Sequence, residues 1–457
     1  MNKTLILATV SAANFMAMLN ISIVNVALPA METDLHTDLS GLQWVVNAFT
    51  ICLSALTLTG GALGDRFGRK RLFVIGIAGF LAGSVLCALA SDLPTLITGR
   101  FVQGVAAAML IPGSLSILAQ TYTDPVERAR KIGVWASLSA IAMVIGPVAG
   151  GALIEYYDWP AIFWVSVPIG VIALIAALFT VPESADPTHA SLDPLGQSLA
   201  VGALGLLTYG LIRSGDTGWG DAVTLVGVGV GIALFAAFVA VELRQSRPML
   251  PVRLFADRNF ATMNLASAAL GFGPYAIYTF LSLFMQQAQN MTAIETGLAF
   301  VPMSLATAAV APIAGRWMGR SGPRAPMLTG YLTSAVGLIG LVSLTPDTSY
   351  WVAIGWFVLM GAGMGFSMTP TTTAAVTAVP RERSGIASAT INTTRQTGMA
   401  LGVALLGSVV AAGDDFTTGF HWAALIAGAV SLLAVVAVLA NRTSKPSSPT
   451  VLATQPG

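Results

Sequence analysis

Two arginines lie inside apolar stretches of the sequence. Arg100 belongs to TGRFVQGVAAAM (98–109), and Arg395 belongs to INTTRQTGMALG (391–402). A charge within the hydrocarbon core of a membrane costs about 2.5–3.5 kcal/mol even on the milder insertion scales, so such side chains generally face a bundle interior or a cavity. A guanidinium in that position supplies a permanent positive charge and a planar set of donors.

The two arginines differ in depth. Arg395 lies eleven residues past Ser384, about 16 Å from the nearer membrane face at the helical rise. A side chain does not snorkel that far, and the neighbours Asn392 and Gln396 indicate a polar face, so we expect Arg395 to line a cavity. Arg100 lies about 9 Å below the opposite face, and an interfacial anchor is the alternative for it.

Carboxylate partners for these arginines are missing from the sequence. All 21 Asp and Glu can be assigned to loops or helix edges. Asn20 lies about as deep as Arg100 and is expected to hydrogen-bond to it, but an amide does not carry a proton at physiological pH. Asn20, Asn25 and Gln103 are the further candidates for coupling or cavity residues. The cavity is expected to be positive, which favours anionic, zwitterionic or neutral compounds over lipophilic cations.

Catalytic and metal chemistry are not indicated. His36, His189 and His421 fall in loops or at span edges, and no carboxylate lies mid-span. Cys52 and Cys87 lie in apolar spans without metal-ligand spacing, and no lysine belongs to a nucleotide-binding G-x-x-x-x-G-K-[ST] motif. We therefore predict no catalytic residues, no metal, no cofactor and no enzyme activity.

Composition predicts a polytopic membrane protein. The 457 residues are 55% hydrophobic and only 9% charged, and the net charge of +1 gives no indication of nucleic-acid binding. Apolar runs long enough to cross a bilayer recur along the chain, and the first is read as a retained helix because no cleavage site follows it. Fourteen spans are predicted, at 4–28, 42–63, 72–90, 95–120, 132–154, 160–181, 195–212, 222–241, 260–285, 296–315, 325–345, 350–374, 384–411 and 420–440.

Basic residues predict the orientation. Of the 22 Lys and Arg, 19 fall in loops on one side, which the positive-inside rule makes cytoplasmic together with both termini. The loop 182–194 disagrees, because it holds Glu183, Asp186 and Asp193 without a base. The protein is expected in the cell membrane, in contact with lipid and as a monomer.

The two ends of the chain repeat each other. GALGDRFGRKR (61–71) aligns with GRWMGRSGPRA (315–325) at an offset of 254, and GRFVQG aligns with GWFVLMG (355–361). Spans 1–6 therefore correspond to spans 9–14. The predicted all-α fold has two six-helix bundles related as a parallel repeat, residues 1–181 and 259–441. Two extra helices lie in the linker 182–258, and 442–457 form a cytoplasmic tail. Repeats of this kind place a substrate site at their interface.

Several motifs carry a family resemblance. GALGDRFGRKR, GRFVQGVAAA, IGPVAGG (145–151), LNISIVNVALP (19–29) and INTTRQTGMALG resemble the motifs of the major facilitator superfamily, specifically its fourteen-span drug:proton antiporters. Related sequences of that branch carry an aspartate where this chain has Asn20, which puts the usual proton-coupling site in doubt.

The resemblance also implies residue roles. It makes the first motif a gating loop in which Asp65 docks on the opposite bundle near Ser384 and Gly385; a purely topological basic loop is the alternative. In span 5 the glycines permit close helix approach and the proline bends the axis. The residues concerned are Gly61, Asp65, Arg66, Gly68 and Arg69 in the loop, and Gly146, Pro147, Gly150 and Gly151 in span 5.

The expected function follows from this resemblance. It implies a secondary active transporter that exports small hydrophobic drugs, antibiotics or metabolites by proton antiport with alternating access, using the proton gradient. An importer or symporter of the same fold is the nearest alternative, and a membrane receptor without transport activity is a further one.

Overall fold

The computed structural model describes residues 2–185, 193–245, 248–380 and 383–441. Within these ranges the chain forms fourteen long helices and no strand. The fold class predicted from the sequence is therefore confirmed. The helices are α1 (Lys3–Asp34), α2 (Leu39–Phe67), α3 (Arg69–Ala88), α4 (Leu93–Thr121), α5 (Pro125–Tyr156), α6 (Ala161–Thr180), α7 (Pro194–Thr217), α8 (Ala222–Arg244), α9 (Arg258–Ala288), α10 (Ala293–Ser321), α11 (Arg324–Ser343), α12 (Tyr350–Thr377), α13 (Ser384–Ala411) and α14 (Phe416–Ala440).

Aspartates begin many of these helices. Their side chains accept a hydrogen bond from the backbone N–H three residues on, which satisfies one of the unpaired donors of the first turn. This explains why acidic residues concentrate at helix edges in the sequence. The capping residues are Asp38, Asp92, Asp124, Asp193, Asp221, Asp257 and Asp415.

Most helices extend past the apolar segments that predicted them. α1 continues through Pro29 to Asp34, and α5 begins at Pro125, seven residues before its predicted start at 132. Hydropathy marks the part of a helix that lies in lipid, whereas backbone hydrogen bonding continues to the cap. α9 also contains two π-helical turns, Gly271–Tyr275 and Phe284–Ala288, which the sequence pattern did not predict.

The helices pack as two similar bundles. In the first bundle α4 packs against α2 and α3, and α1 packs against α5 and α6. In the second bundle α12 packs in the same way against α10 and α11, and α9 packs against α13 and α14. Equivalent helices therefore have equivalent neighbours, as the repeat requires.

The inserted helices α7 and α8 form a hairpin on one side of the bundle interface. α7 packs against α2 of the first bundle and α13 of the second. The Gln197 side chain donates to Ala55 O at 3.1 Å and accepts from Thr59, both on α2. A Cβ at Gly215 would stand 3.0 Å from Ser408 Cα on α13, so the hairpin is held by both bundles.

The basic residues mark one end of the molecule, which we call the basic face; the opposite end is the distal face. Lys3 and Lys131 both lie over the Tyr122 ring, and Arg324 donates to Leu439 O at 2.8 Å. Some of the charges used for the topology lie outside the described residues: Arg247, Arg381, Arg442, Lys445 and Asp186, together with His189 and the tail 442–457.

Candidate functional site

Polar contacts close the distal half of the bundle interface. Thr279 Oγ1 of α9 donates to Asn25 Oδ1 of α1 at 2.9 Å, and Gln286 Nε2 donates to Val26 O at 3.0 Å. Gln43 Nε2 of α2 donates to the carbonyls of Val403 and Ala404 of α13 at 2.6 and 3.0 Å. These bonds join the two bundles at two contacts, one between α1 and α9 and one between α2 and α13.

The span-5 motif serves two interfaces. A Cβ at Gly146 would stand 1.9 Å from Ser22 Oγ, and one at Gly150 would stand 2.7 Å from Ile23 Cγ1, so both glycines allow α5 to approach α1. Gly151 faces the other bundle instead, where a Cβ would stand 2.4 Å from Ala293 O of α10. Pro147 belongs to the same contact, because a Cβ at Gly297 would stand 2.3 Å from its carbonyl oxygen.

Toward the basic face, α5 and α10 lose this contact. Every buried residue of α5 lies between Ala142 and Gly151. Apart from chain neighbours and the helix's own backbone, no described atom lies within 4 Å of a Cβ built at Gly133 of α5 or at Gly315 of α10. The contact between α5 and α10 is therefore concentrated at the distal face, and the two helices separate toward the basic face.

Arg100 is buried in the first bundle, 2% exposed. Its Nε donates to Val45 O at 3.0 Å, and its Nη1 donates to Asn20 Oδ1 and, at 2.7 Å, to Gln103 Oε1. The guanidinium carbon lies 4.6 Å from the centroid of the Phe49 ring, within the range of a cation–π interaction. This burial excludes the interfacial anchor, and the expected bond to Asn20 is present.

The Arg100 network extends to one more helix, α3. Gln103 Nε2 donates to Ser84 Oγ of α3 at 2.9 Å. Asn20 and Gln103 are both fully buried, and Asn20 Nδ2 has no hydrogen-bond partner among the described residues. In this conformation these side chains are enclosed in the first bundle and do not line an open cavity.

A small cavity of about 10 Å³ lies between Arg100 and the bundle interface. This is close to the smallest volume that holds one water molecule. It connects Arg100 with the Asn25 side chain, and with the second bundle through Met399 of α13. Its lining residues are Ile21, Val24, Asn25, Val46, Phe49, Thr50, Arg100 and Met399.

Arg395 lies in the polar stretch of α13. Its Nη2 donates to Asn392 Oδ1, and residues 392–397, Gln396 among them, are all half-buried. Among the described residues Arg395 has no carboxylate partner. On the same stretch Thr397 Oγ1 lies 2.7 Å from Ser54 Oγ of α2, so this polar segment meets the first bundle near mid-helix.

The α2–α3 turn is held within its own bundle. Gly61 faces Pro112 of α4, and Arg66 lies over the ring of Phe67. The Asp65 carboxylate accepts from Arg69 Nη2 at 2.7 Å. Gly68 has φ +110°, which favours glycine.

Glu183 explains part of the acidic loop that disagreed with the topology. Its carboxylate accepts from the backbone N–H groups of Lys70 and Arg71, both at 3.2 Å. It therefore caps the N-terminus of α3, where helix-dipole and basic charge both favour an anion. A Cβ at Gly68 would stand 2.7 Å from Glu183 Oε1, a second reason for glycine there. Sequence reasoning missed this role, because only the fold brings residue 183 to the turn.

Comparison with known proteins decides the family. The sequence profile of the Major Facilitator Superfamily matches residues 10–403, and matches again over residues 263–456. The chain belongs to the major facilitator superfamily. The second match begins at the start of the second bundle, as expected for an internal repeat.

Several relatives of the chain are named for resistance to antibiotics. The multidrug resistance protein Stp of Mycobacterium tuberculosis is 35% identical over 414 residues, which cover 90% of this chain and 77% of that protein. The tetracenomycin C resistance and export protein of Streptomyces glaucescens is 32% identical, with 90% and 77% covered. The methylenomycin A resistance protein of Bacillus subtilis is 32% identical, with 95% and 93% covered.

Solved structures show the same fold. A peptide transporter of the POT family, crystallised with sulfate, aligns with a TM-score of 0.73 at 15% identity and covers 95% of this chain and 94% of that one. The human organic anion transporter MFSD10 aligns at 0.65 with 14% identity, covering 96% and 100%. The family match and the relatives, together with the many apolar helices, show that this chain is a multi-pass membrane transporter and not an enzyme, as the sequence predicted.

Proposed function

We propose that this transporter exports small hydrophobic drugs, antibiotics or related metabolites from the cell. The names of the relatives support this proposal, since one is called a resistance and export protein and others are named for multidrug or antibiotic resistance. The basic face is assigned to the cytoplasm by the positive-inside rule. The interface opens toward that face, as a site that receives its substrate from the cytoplasm requires.

Transport proceeds by alternating access between the two bundles. The bonds from Asn25, Gln286 and Gln43 form the distal gate, and the α2–α3 turn carrying Asp65 closes the basic face when it docks at the start of α13. Uphill export needs an energy source, and proton antiport fits a chain with no nucleotide-binding motif. The protein acts as a monomer in the cell membrane with both termini cytoplasmic. The proposed divisions of the chain are residues 1–181, 182–258, 259–441 and 442–457.

The environment of Arg395 is the observation that best supports a preference for one charge class of substrate. It is half-buried on the polar segment of α13 and has no carboxylate partner among the described residues. A guanidinium left without a counter-charge in a membrane interior is stabilised by an anionic or strongly polar group from the substrate. Anionic, zwitterionic and neutral compounds are therefore preferred over lipophilic cations.

Inverted membrane vesicles test this function directly. With a proton gradient imposed, vesicles containing the protein accumulate anionic and neutral antibiotics, and a protonophore removes the accumulation. Cells that lack other efflux pumps become resistant to the same compounds. Accumulation of the antibiotics by intact cells instead of vesicles would make the protein an importer. Binding without movement in either direction would make it a receptor.

A further inference from the structure

Two buried carboxyl groups meet between the inserted helices. Asp193, which caps α7, is 5% exposed, and Glu242, in the last turn of α8, is 2% exposed. A Cβ built at Gly196 would stand 2.2 Å from Asp193 Oδ2 and 2.7 Å from Glu242 Oε1. The two oxygens therefore lie close to the same point, and among the described residues neither has a hydrogen-bond partner.

The other carboxyl oxygens are satisfied by N–H donors. Asp193 Oδ1 accepts from Gly196 N and Gln245 Nε2, both at 2.8 Å. Glu242 Oε2 accepts from Leu250 N at 3.0 Å. Each carboxyl group thus has one paired oxygen and one oxygen that faces the other acid.

No positive side chain balances the pair within the described part of the chain. Neither acid forms an ion pair there. Arg253, in the linker beside α8, directs Nη2 to Leu243 O at 3.2 Å. Toward α2 the same first turn of α7 presents the neutral Gln197, which bonds to Ala55 O and Thr59. Among the described residues, the titratable groups facing the free oxygens are thus the two acids themselves.

Two ionised carboxylates in such contact repel strongly, and one proton placed between them removes the repulsion and supplies the missing donor. Burial raises the pKa of Asp193, but the hydrogen bonds from Gln245 and Gly196 outweigh it, so the pKa of Asp193 is lowered overall. Asp193 is therefore the ionised member of the pair. Glu242 Oε1 carries the proton and donates to Asp193 Oδ2.

We propose that Asp193 and Glu242 form a binding site for one proton in the inserted hairpin. The alternative ligand, a divalent cation, needs six or more oxygens for calcium or an octahedral shell for magnesium. This site offers two free oxygens, and no group of three or more His, Cys, Asp and Glu suited to a metal occurs among the described residues. When the proton leaves, the O–H bond of Glu242 breaks, the electron pair stays on Oε1, and water at the basic face accepts the proton.

Proton release is transmitted to both bundles. Glu242 holds Leu250 in the linker that leads into α9, and Asp193 precedes the turn of α7 whose Gln197 contacts α2. Two negative charges at this point push α7 and α8 apart and loosen both connections. The site is therefore placed to make the contact between the hairpin and the bundles depend on cytoplasmic pH, whichever compound is transported.

Infrared difference spectroscopy of the purified full chain in nanodiscs tests the site without any substrate. We expect a C=O stretching band from one protonated carboxyl group, and this band should disappear in a single titration step as the pH is raised. Glu242→Gln removes this band, because its amide donates to Asp193 Oδ2 without titrating. Asp92→Asn is the matched control, since Asp92 is an exposed cap and asparagine caps equally well. A wild-type spectrum without such a band, or a band that survives Glu242→Gln, overturns the proposal.

Thermal unfolding gives a second readout. The native state binds a proton that the unfolded chain releases at neutral pH, so stability falls as pH rises. Glu242→Gln should flatten this dependence and raise Tm at alkaline pH relative to wild type. Asp193→Asn should flatten it too, and it replaces Glu242→Gln if that variant fails to fold. An unchanged pH slope in the folded variants contradicts a shared proton. Neither readout depends on drug export, so failure here is distinguishable from failure of the proposed function.

Discussion

Asn25 of α1 and Thr279 of α9 are 254 residues apart, which is the offset of the internal repeat, and their side chains are hydrogen-bonded at 2.9 Å. α1 and α9 are the first helices of the two bundles, so the bond joins corresponding helices of the repeat. At this position, in the distal half of the interface, it joins the two bundles directly.

Breaking this bond should favour the state that opens at the distal face. Thr279→Val keeps the side-chain shape but removes the hydroxyl, at a cost of about 1 kcal/mol, or about a fivefold shift in population. Distances between spin labels on the distal ends of α1 and α9 measure the shift. Thr307→Val is the control, because the Thr307 hydroxyl bonds to Met303 O and Gly361 O within the second bundle. Equal distance distributions in the wild type and Thr279→Val would show that this bond does not stabilise the closed distal face.

Gly151→Ala should weaken distal closure by a steric route. The added methyl would stand 2.4 Å from Ala293 O, closer than carbon and oxygen can pack, so α5 and α10 must separate. Labelling of a cysteine introduced near the distal end of α10 should become faster than in wild type. Gly133→Ala is the matched control on the same helix, because its methyl meets open space. Similar labelling rates for both variants would show that the α5–α10 contact does not limit opening.

The sequence predicted the helices well and their contacts poorly. Membrane helices are encoded locally by apolar runs, so all fourteen were located, although several of their ends lie six or seven residues beyond the predicted ones. The Asn20–Arg100 bond was also expected, since two polar groups at one depth in a bundle interior have few other partners. Glu183 and the Asp193–Glu242 pair were missed, because each contact joins segments that are far apart in the chain. The sequence placed Glu242 at a helix edge, where it lies, but did not predict its burial or its contact with the linker at Leu250.

Arg395 should be required for substrate binding. Arg395→Ala removes both the charge and the donors, so binding of an anionic antibiotic should be lost. Arg395→Lys should retain part of it, because a point charge keeps the potential but not the planar fork. Binding to the purified variants is measured by titration calorimetry. If Arg395→Ala binds as tightly as wild type, the guanidinium contributes to helix packing alone.

Asp65→Asn should abolish most transport while leaving the protein in the membrane at normal levels. The Asp65–Arg69 ion pair is partly exposed and contributes at most about 1 kcal/mol to stability, so folding should survive its loss. In the proposed mechanism the Asp65 charge is needed for the loop to dock at the start of α13, so its loss should reduce efflux, which is measured in vesicles. The control is Asp124→Asn at the N-cap of α5, also on the basic face. This variant should transport normally because asparagine preserves the cap. Wild-type efflux by Asp65→Asn would favour the alternative interpretation, in which the basic loop serves only to set the membrane topology.

Asn20→Asp should change which charges the protein accepts. The new carboxylate would replace the amide that now accepts from Arg100 Nη1, and the arginine's positive charge would be balanced within the bundle. Because the cavity beside Arg100 reaches the interface at Asn25 and Met399, the change in potential extends to the substrate path. We expect better efflux of monovalent cationic dyes, which the wild type should handle poorly. Transport should also depend more on external pH, since an acid now titrates there.

Asn14→Asp separates this effect from that of an added charge alone. Asn14 lies on the same helix and is equally buried, but its amide donates to Ser139 rather than facing an arginine. An unpaired carboxylate there should reduce stability without improving dye efflux. Dye efflux and its pH profile are measured in the same vesicles for all three proteins. Efficient, proton-driven export of a cationic dye by the wild type, unchanged in Asn20→Asp, would show that Asn20 only packs and that acids nearer the distal face, such as Glu32 or Glu295, carry the protons.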